Sequence, residues 1–253
     1  MNISVTGIDK CFGTGVNEVR VLEGLSFDVR DEEFVCIVGP SGCGKSTLLA
    51  VMAGLELPDS GTVRFHAGRA ATGPVTTIVW QDYALIPWRT IVDNIAFGPE
   101  VRGVPKRERY DRARHYLQVM GIEGFAMKYP HQLSGGMRQR AGIARALAND
   151  PAVLLMDEPF AAVDAQTRVL LQEELLSVWS KDKKTVVFIT HNIEEALLLG
   201  DRVLVLSQRP THVIEEIKVP FPRPRDYTVE ADPRFGELKL HIWERLKDAI
   251  VRN

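Results

Sequence analysis

The chain has 253 residues, 45% of them hydrophobic and 25% charged, and its 31 basic and 33 acidic side chains give a formal net charge of −2. This apolar fraction excludes an intrinsically disordered chain, and the near-neutral charge gives no general electrostatic argument for binding nucleic acid. Three cysteines, an odd number without metal-ligand spacing, favour a reducing compartment over a disulfide framework or a zinc site.

The N-terminal region lacks the basic stretch and apolar run of a signal peptide, and no apolar run reaches the roughly 18–20 residues that a membrane-spanning helix needs. We therefore expect a protein that is made in the cytosol and stays there, or on a surface that faces it. Polar and apolar residues alternate over residues 19–22, 25–29 and 62–65. This alternation predicts an antiparallel flank with one buried face.

Four short runs of consecutive apolar residues predict strands that are buried on both faces, as in a parallel sheet covered by helices. They are residues 34–38, 153–156, 186–189 and 203–206. Helical patterns lie between these runs, at residues 136–149 and 166–181. The first of these helices has an apolar stripe formed by Met137, Ala141, Ala144 and Ala148. Strands that alternate with helices predict an α/β fold with right-handed crossovers.

Residues 39–46 match the phosphate-binding pattern G-x4-G-K-[ST] and follow the predicted strand at 34–38. The glycines let successive backbone N–H groups point at phosphate oxygens, and the N-terminus of the next helix adds positive potential. We predict that Lys45 contacts the β- and γ-phosphates of a nucleotide and that the Ser46 hydroxyl binds Mg²⁺. The alternative is an ordinary glycine-rich turn, which the flanking strand and helix disfavour. Cys43, inside the pattern, is interpreted as a small filler.

Residues 105–121 predict a strongly charged helix that begins after Pro105. The basic residues in this part of the chain are Arg102, Lys106, Arg107, Arg109, Arg112 and Arg114, against the acidic Glu108 and Asp111. A solvated helix face is the simpler interpretation of such a run, and a contact with phosphate backbone or lipid headgroups is the alternative. We predict that this helix belongs to a small helical subdomain inserted into the α/β core.

A second anion-binding pattern lies at residues 133–140. Ser134 stands at the predicted start of a helix and precedes Gly135 and Gly136, so a hydroxyl, bare backbone N–H groups and a helix dipole meet there. An ordinary serine N-cap is the alternative. Because the P-loop already serves the chain's own nucleotide, we predict that this second cradle serves the γ-phosphate bound by another copy.

Two adjacent carboxylates, Asp157 and Glu158, follow the predicted strand at 153–156. Successive side chains of a strand point to opposite sides, so we expect the two carboxylates to have different roles. Asp157 is predicted to hold Mg²⁺ through its water shell, and Glu158 to orient and deprotonate the attacking water. An acidic junction that ends at Pro159 is the alternative, and the accompanying P-loop favours the catalytic interpretation.

The C-terminal part of the chain has a different character. Residues 220–225 alternate proline with other residues, and because X-Pro pairs disfavour helix, they predict an extended linker. An amphipathic helix is predicted after it, at about residues 234–251.

The motifs occur in the order P-loop, Gln81, residues 133–137, carboxylate strand 154–158, turn at Asp164, and His191. Together they resemble the nucleotide-binding subunit of an ABC transporter, over roughly residues 1–210. Within that family, residues 81–88, 131–140 and 221–226 resemble the nitrate/sulfonate/taurine importer ATPases.

The resemblance implies a P-loop NTPase (RecA-like) core with an N-terminal antiparallel β flank and an inserted α-helical subdomain. We expect the nucleotide-binding domain at residues 1–219, its helical subdomain at about 88–150, and the C-terminal linker and helix at residues 220–253. The resemblance also implies an ATPase whose activity needs ATP and Mg²⁺.

The family's functional residues carry over to matching positions. The catalytic residues are then Glu158, Gln81 and His191, the last as a hydrogen-bond donor to the γ-phosphate. The residues assigned to Mg²⁺ are Ser46, Gln81 and Asp157. The nucleotide contacts are Phe12, Gly39, Pro40, Ser41, Gly42, Cys43, Gly44, Lys45, Ser46, Thr47, Ser134, Gly135, Gly136 and Asp164. Phe12 is expected to stack on adenine, and a core phenylalanine at a strand end is an equal alternative.

The resemblance implies that two copies, or this chain and a paralogue, sandwich two nucleotides, with Asp164 crossing the interface. Two integral membrane permease subunits are expected to dock at the apolar loop after Gln81, and a substrate-binding protein acts indirectly. The apolar residues of that loop are Tyr83, Leu85, Ile86 and Trp88, for which a core position is the alternative. ATP-driven dimer closure is expected to power uptake of a small anion at the cytoplasmic face of the inner membrane, without nucleic acid as a partner.

Other functions stay open as alternatives. They are the ATPase of another import or export system, a soluble mechanical ABC ATPase, and a P-loop kinase, which does not account for residues 133–136. Met137, Asn192 and residues 161–163 depart from the commonest family pattern. These positions bear on the detail of the dimer contact, and none of them removes a group that contacts phosphate.

Overall fold

The computed structural model describes residues 1–66 and 73–251. These residues fall into two units, which we call the first unit (residues 1–66 and 183–251) and the second unit (residues 73–182). Among the described residues, no helix combines the length and the apolar character needed to cross a lipid bilayer.

The strands are β1 (Asn2–Phe12), β2 (Val19–Val29), β3 (Phe34–Val38), β4 (Ser60–His66), β5 (Thr76–Val79), β6 (Val153–Asp157), β7 (Thr185–Ile189), β8 (Arg202–Leu206) and β9 (Val213–Lys218). The α-helices are α1 (Lys45–Met52), α2 (Ile91–Val101), α3 (Lys106–Val119), α4 (Gly135–Ala148), α5 (Ala165–Lys181), α6 (Ile193–Leu199) and α7 (Pro233–Val251). A short 3-10 turn, Tyr227–Ala231, precedes α7.

The first unit contains the antiparallel flank that the alternating pattern predicts. Its strands pair in the order β2-β1-β4, with Ile3 opposite Val29. Leu25 and Val29 are buried while the residues next to them along the strand are exposed, as expected for a sheet with one buried face. The segments at 19–22 and 25–29 are not separate strands: both belong to β2, whose pairing with β1 shifts register between them.

A second sheet of the first unit has the strand order β7-β3-β8-β9. β3 pairs in parallel with β7 and β8, and every residue of β3 and β7 is buried, as the continuous apolar runs predict. β9 pairs antiparallel with β8. Because β3 and β7 are parallel neighbours, the loops at their carboxyl ends start at the same edge of the sheet, which is where α/β proteins place their ligand sites.

The C-terminal segment packs on the first unit. Residues 219–226 belong to no helix or strand, and they bend at residues 223 and 224 instead of forming the extended linker that was predicted. Helix α7 confirms the predicted helix at about 234–251. This helix lies against α6 and β8 and buries Phe235, Ile242 and Leu246. The ring centroids of Phe221 and Phe235 are 5.8 Å apart, so the segment after β9 and the helix share one apolar cluster.

The second unit contains the parallel pair β5 and β6 together with helices α2 to α5. Helix α4 packs against α2 and α3. Its buried residues include Ala141, Ala144 and Ala148 of the predicted apolar stripe, whereas Met137, the first residue of that stripe, is only half-buried. The described helices of the region predicted to be helical, about 88–150, are α2, α3 and α4.

The charged run of α3 forms ion pairs within the helix. Arg112 pairs with Glu108 at 2.6 Å, and Arg114 pairs with Asp111 at 2.9 Å. Pairs of this kind on an exposed helix contribute about 0.3–0.5 kcal/mol each. The contacts favour a solvated helix face over a site for phosphate or lipid.

Candidate functional site

The predicted phosphate-binding loop connects β3 to α1 in the first unit. Gly44, just before α1, has a φ of 121°, a conformation that residues with a side chain rarely adopt. A Cβ atom on Gly44 would lie 2.6 Å from Val21 Cγ1. A Cβ atom on Gly39 would lie 3.1 Å from Cys43 Sγ. The packing and the φ value therefore disfavour any side chain at Gly44, and a side chain at Gly39 would meet its neighbours tightly, as expected for a cradle made of backbone.

Lys45 is the first residue of α1, and its side chain is buried. The ammonium group donates hydrogen bonds to the carbonyls of Gly39 at 2.9 Å and Pro40 at 3.0 Å. The charge is therefore held against the loop that is expected to surround the phosphates. Ser46 and Thr47 follow in the first turn of α1, where the helix dipole favours an anion.

The turn between β8 and β9 supports the loop through its carbonyl groups. Arg209 Nε donates a hydrogen bond of 2.5 Å to the Gly42 carbonyl, and the Thr211 hydroxyl donates one to the Cys43 carbonyl. Because the N–H groups of such a loop point to phosphate, these carbonyl contacts lie on its other side. Burial raises the pKa of the Cys43 thiol, which keeps it protonated and fits its interpretation as a filler. Sequence analysis missed Arg209 and Thr211, because more than 160 residues separate them from the loop.

Phe12 is the last residue of β1, and it is 41% exposed. The Lys10 ammonium lies 5.1 Å from the centroid of its ring. The alternative of a core phenylalanine is therefore wrong. An exposed ring at a strand end is suited to stacking, and its contact with adenine stays a prediction.

His191 follows β7 and is exposed. The residues on both sides of it are fixed by hydrogen bonds. Thr190 N donates to the Ile37 carbonyl of β3 at 3.1 Å, and the Asn192 side chain caps α6 by accepting from Glu195 N at 3.0 Å. The structure therefore places an exposed imidazole at the junction of a buried strand and a capped helix.

Gln81 lies in an exposed turn after β5 in the second unit. The following residues Tyr83 and Ala84 have φ values of 43° and 46°, which are strained for residues with a side chain. Arg145 of α4 donates hydrogen bonds to their carbonyls, at 2.9 Å and 2.5 Å respectively. The guanidinium of Arg138 lies 5.4 Å from the centroid of the Tyr83 ring. Sequence analysis assigned neither arginine to this turn.

The second predicted anion cradle is the N-terminus of α4. Ser134 is the N-cap, and its Oγ accepts a hydrogen bond from Met137 N at 3.3 Å. Gly135 and Gly136 form the start of the helix, and a Cβ atom on Gly136 would lie 2.9 Å from Thr167 Cγ2. The cap shows that Ser134 has a role in its own chain, and the bare first turn keeps the geometry of an anion site.

Asp157 ends β6 and is buried, and Glu158 is half-buried. The expectation that strand alternation separates the two carboxylates is wrong, because Glu158 lies outside the strand with a φ of 43°. Its left-handed backbone, just before Pro159, turns the chain at this point. Such a conformation costs of order 1–3 kcal/mol and is concentrated at functional sites.

Asp164 is the N-cap of α5, and its side chain accepts a hydrogen bond from Thr167 N at 3.0 Å. The hydrogen bonds from Thr167 lower the pKa of Asp164. This carboxylate therefore stabilises the start of a helix in its own chain, and a contact across a dimer interface stays a prediction.

The order of these elements corresponds to a known protein family. The family described as ABC transporter matches residues 22–161, more than half of the chain. The chain belongs to the ABC transporter family.

ABC ATPases with importer names are similar to it over almost its whole length. A taurine import ATP-binding protein of Rhizobium johnstonii is 46% identical, with 91% of this chain and 93% of that protein covered. A nitrate import ATP-binding protein of Synechocystis is 41% identical, with 98% and 96% covered. An aliphatic sulfonates import ATP-binding protein of Bacillus cereus is 39% identical, with 97% of each covered.

A solved ABC cassette has the same fold. It is a dimeric ATP-binding cassette in a post-hydrolysis state bound to ADP and Pi, with a TM-score of 0.77 and 31% identity, covering 87% of this chain and 100% of that chain. The predicted P-loop NTPase fold is confirmed, and the chain is an ATPase that binds ATP.

The departures from the usual ABC pattern are explained by local structure at two positions. Asn192 caps α6 through its side-chain oxygen, which an aspartate would do in the same way. Met137 contributes its backbone N–H to the Ser134 cap, and this contact does not depend on its side chain.

The glycine-lined loop at Gly39 and Gly44 fits a polyphosphate, and the hydroxyl, amide and carboxylate oxygens assigned to the metal are of the type that Mg²⁺ prefers.

Proposed function

We propose that this ABC ATPase is the ATP-hydrolysing subunit of an importer that takes up a small anion, such as an alkanesulfonate, taurine or nitrate, through separate membrane subunits. The observation that carries the proposal is the near full-length similarity to ATPases named for import of these compounds. In this proposal the cassette contacts only nucleotide, and the membrane subunits and a substrate-binding protein select the anion. Its location is the cytoplasmic face of the inner membrane, as a peripheral subunit.

Contacts with the phosphates and the adenine use residues of the first unit. The backbone N–H groups of residues 39–46 and the Lys45 ammonium hold the β- and γ-phosphates. Phe12 stacks on adenine with its exposed ring. Mg²⁺, which Ser46 and Asp157 would hold, offsets the negative charge of the phosphates. The buried position of Lys45 against the loop supports this assignment.

Hydrolysis uses three further side chains. Glu158 orients the attacking water and accepts its proton, a contribution typically worth about 10²–10⁴ in rate. The exposed imidazole of His191, whose neighbours in the chain are held by hydrogen bonds, donates a hydrogen bond to the γ-phosphate. Gln81 contacts the metal or the water, and the turn that carries it is anchored by Arg145 to α4. When the γ-phosphate is cleaved, the contacts of Gln81 change, and the turn that carries Gln81 transmits this change to the surface next to it.

A second copy, or a paralogue, completes each reaction centre. The N-terminus of α4, with Ser134, Gly135 and Gly136, binds the γ-phosphate held by the partner, and Asp164 lies at the interface. ATP then favours the closed dimer, because its γ-phosphate is shared by both copies and ADP lacks it. The dimeric state of the solved cassette supports this proposal.

The membrane subunits dock on an apolar patch formed by Trp88, Phe125, Met127 and Tyr129, which are 78%, 36%, 74% and 41% exposed. Backbone hydrogen bonds join its two segments, from Ile91 N to the Lys128 carbonyl at 2.8 Å and from Val92 N to the Ala126 carbonyl at 2.9 Å.

Next to this patch lies a cavity of about 470 Å³, lined by Val92, Tyr110, Leu117 and Met127 among others. The high exposure of Trp88 rules out the core alternative for that residue. An exposed apolar patch beside a cavity is the surface that an amphipathic helix of a permease requires. Of the loop that is predicted to dock the membrane subunits, Trp88 belongs to this patch, and the other apolar residues, Tyr83, Leu85 and Ile86, are half-buried. The rest of the patch comes from residues 125–129, which sequence analysis did not assign to docking.

Reconstitution tests the proposal. The genes next to that of this chain are searched for a permease and a binding protein, and these are co-expressed with it, purified as a complex, and placed in vesicles with ATP. We expect ATP-dependent uptake of one of the labelled anions taurine, nitrate or methanesulfonate, and none with Glu158→Gln. Co-purification that is unchanged by Trp88→Glu would exclude docking at the patch, and an active complex that moves none of the three anions would exclude the proposed cargo class.

A further inference from the structure

Helix α6 begins two residues after His191 and has seven residues, of which all but Glu194 are buried. A helix this short is marginal by itself, and the last four carbonyls of any α-helix have no partner within it. Buried carbonyls of this kind need other donors, since an unsatisfied one costs about 1–3 kcal/mol. The Ala196 carbonyl accepts from Gly200 N at 2.9 Å. The remaining three carbonyls receive their donors from the C-terminal segment.

Arg225 supplies most of these donors. Its Nη1 donates hydrogen bonds to the carbonyls of Leu197 at 3.3 Å, Leu198 at 3.4 Å and Gly200 at 2.6 Å. Its Nε and Nη2 donate to the Phe221 carbonyl at 3.0 Å and 2.7 Å. The side chain is only 3% exposed, and burial, with a smaller effect of Arg223, lowers the pKa of Arg225 to about 10. It is thus a buried cation at the negative end of a helix, where a cation is favourable.

Arg223 supplies the remaining donor to the carbonyls at the end of α6. Its Nη2 donates to the Leu199 carbonyl at 2.6 Å, and its Nε donates to Asp201 Oδ1 at 2.8 Å. The other carboxylate oxygen of Asp201 accepts from Phe34 N, the first residue of β3, at 3.0 Å. The two arginines therefore tie the end of α6 to the strand that leads into the phosphate-binding loop.

The other end of α6 is also held by the C-terminal segment. Lys239 of α7 pairs with Glu194 of the first turn of α6 at 2.5 Å. Together with the Asn192 cap, this contact fixes the end of the helix that is next to His191. Residues 219–251 thus contact α6 at both of its ends.

We propose that Arg225, assisted by Arg223, is a positioning residue for His191. By capping the C-terminal end of α6, the proline-arginine segment fixes the short helix whose other end carries the histidine, and the C-terminal extension becomes part of the hydrolytic machinery. The inference rests on the proposed role of His191 in hydrolysis. Arg225 contacts neither nucleotide nor water in this account and acts only through α6.

The test uses Arg225→Gln in the full-length chain, which removes the charge and most of the donors. We expect kcat for ATP to fall about tenfold or more, while KM and the affinity for a fluorescent ATP analogue stay within about twofold, since the phosphate-binding loop is untouched. The imidazole signal of His191 in an NMR spectrum of histidine-labelled protein is expected to shift. Arg225→Lys keeps the charge but not the planar fork of donors, so its kcat is expected to lie between those of Arg225→Gln and the wild type.

Arg245→Gln is the matched control. Arg245 lies in the same C-terminal extension and pairs with Glu215 at 2.7 Å, away from α6. We expect its kcat and the His191 signal to equal those of the wild type. Arg223→Gln, which removes one carbonyl contact, is expected to lower kcat less than Arg225→Gln. If Arg225→Gln fails to fold, kcat, ATP affinity and the His191 signal are measured on Arg223→Gln instead.

Three results for Arg225→Gln would each overturn the inference. They are a wild-type kcat, an unchanged His191 signal, and a loss of ATP affinity equal to the loss of kcat. His191→Ala, measured in parallel, separates it from the function on which it rests. Full turnover in His191→Ala would overturn the role of His191 and this inference with it. An inactive His191→Ala beside a fully active Arg225→Gln would overturn this inference alone.

Discussion

The Arg145 guanidinium of α4 donates a hydrogen bond of 2.9 Å to the backbone carbonyl of Tyr83, two residues after Gln81. The same guanidinium holds the Ala84 carbonyl, so one side chain links α4 to the strained turn after Gln81. Burial lowers the pKa of Arg145, whose charge is compensated here by carbonyl oxygens.

Arg145→Gln removes these carbonyl contacts from a turn with two left-handed residues. We expect the free energy of unfolding to fall by about 1–3 kcal/mol, measured by urea denaturation. Arg114→Gln is the control, since Arg114 is exposed and pairs with its helix neighbour Asp111, and it is expected to change stability by less than about 0.5 kcal/mol. Equal effects of the two substitutions would show that the turn is held by other contacts.

Gly44→Ala tests the backbone cradle. The new Cβ would lie 2.6 Å from Val21 Cγ1 at a residue with a φ of 121°, so the loop must distort. We expect ATP affinity to fall about tenfold or more and stability to fall by about 1–3 kcal/mol. Gly236→Ala in α7, where a Cβ meets no atom within 4 Å, is expected to raise stability by about 0.5–1 kcal/mol. Unchanged ATP binding in Gly44→Ala would contradict the assignment of this loop.

Ser134→Arg tests whether the N-terminus of α4 serves another copy. A large side chain fills this cradle but leaves the chain's own phosphate-binding loop intact, so we expect ATP binding within about twofold of the wild type and loss of phosphate release. Ser134→Thr keeps the hydroxyl and the cap and is expected to retain most of the turnover. Loss of ATP binding by Ser134→Arg would mean that the cradle acts within one chain.

The cap at Asp164 predicts a defined pH dependence. Hydrogen bonds from Thr167 lower the pKa of this carboxyl below its ordinary value of 3.8 in the folded state. Its stabilisation is therefore fully present above that ordinary value and is lost as the pH falls through the lowered pKa. We expect Asp164→Ala to have a lower urea midpoint than the wild type at pH 7, with the difference decreasing as the pH falls below 3.8. A difference that is constant with pH would exclude the ionised cap as its cause.

The strands and motifs that sequence analysis predicted depend on local signals. Consecutive apolar residues specified β3 and β7, and the glycine pattern at residues 39–46 specified the loop between β3 and α1. Helix α2 was missed because Pro99 lies inside it, and proline lacks the N–H that continues a helix. Strand β9 was missed because Glu215 and Glu216 interrupt its alternation.

The supporting arginines were missed for a different reason. Arg209 is 167 residues from the carbonyl that it contacts, and Arg145 is 62 residues from the Tyr83 carbonyl. A side chain that donates to distant backbone leaves no spacing pattern in the sequence. Glu158 shows the same limit, because its left-handed backbone follows from the turn and not from strand periodicity.

The most direct test of a shared reaction centre is the molar mass of Glu158→Gln measured by light scattering during size-exclusion chromatography. If Glu158 is the general base, as we propose, this substitution leaves ATP intact, so we predict a dimer in ATP and a monomer in ADP, with hydrolysis nearly abolished. The wild type should show turnover per chain that falls on dilution. A variant that stays monomeric at every concentration of ATP, beside a wild type whose turnover per chain does not change on dilution, would contradict the account.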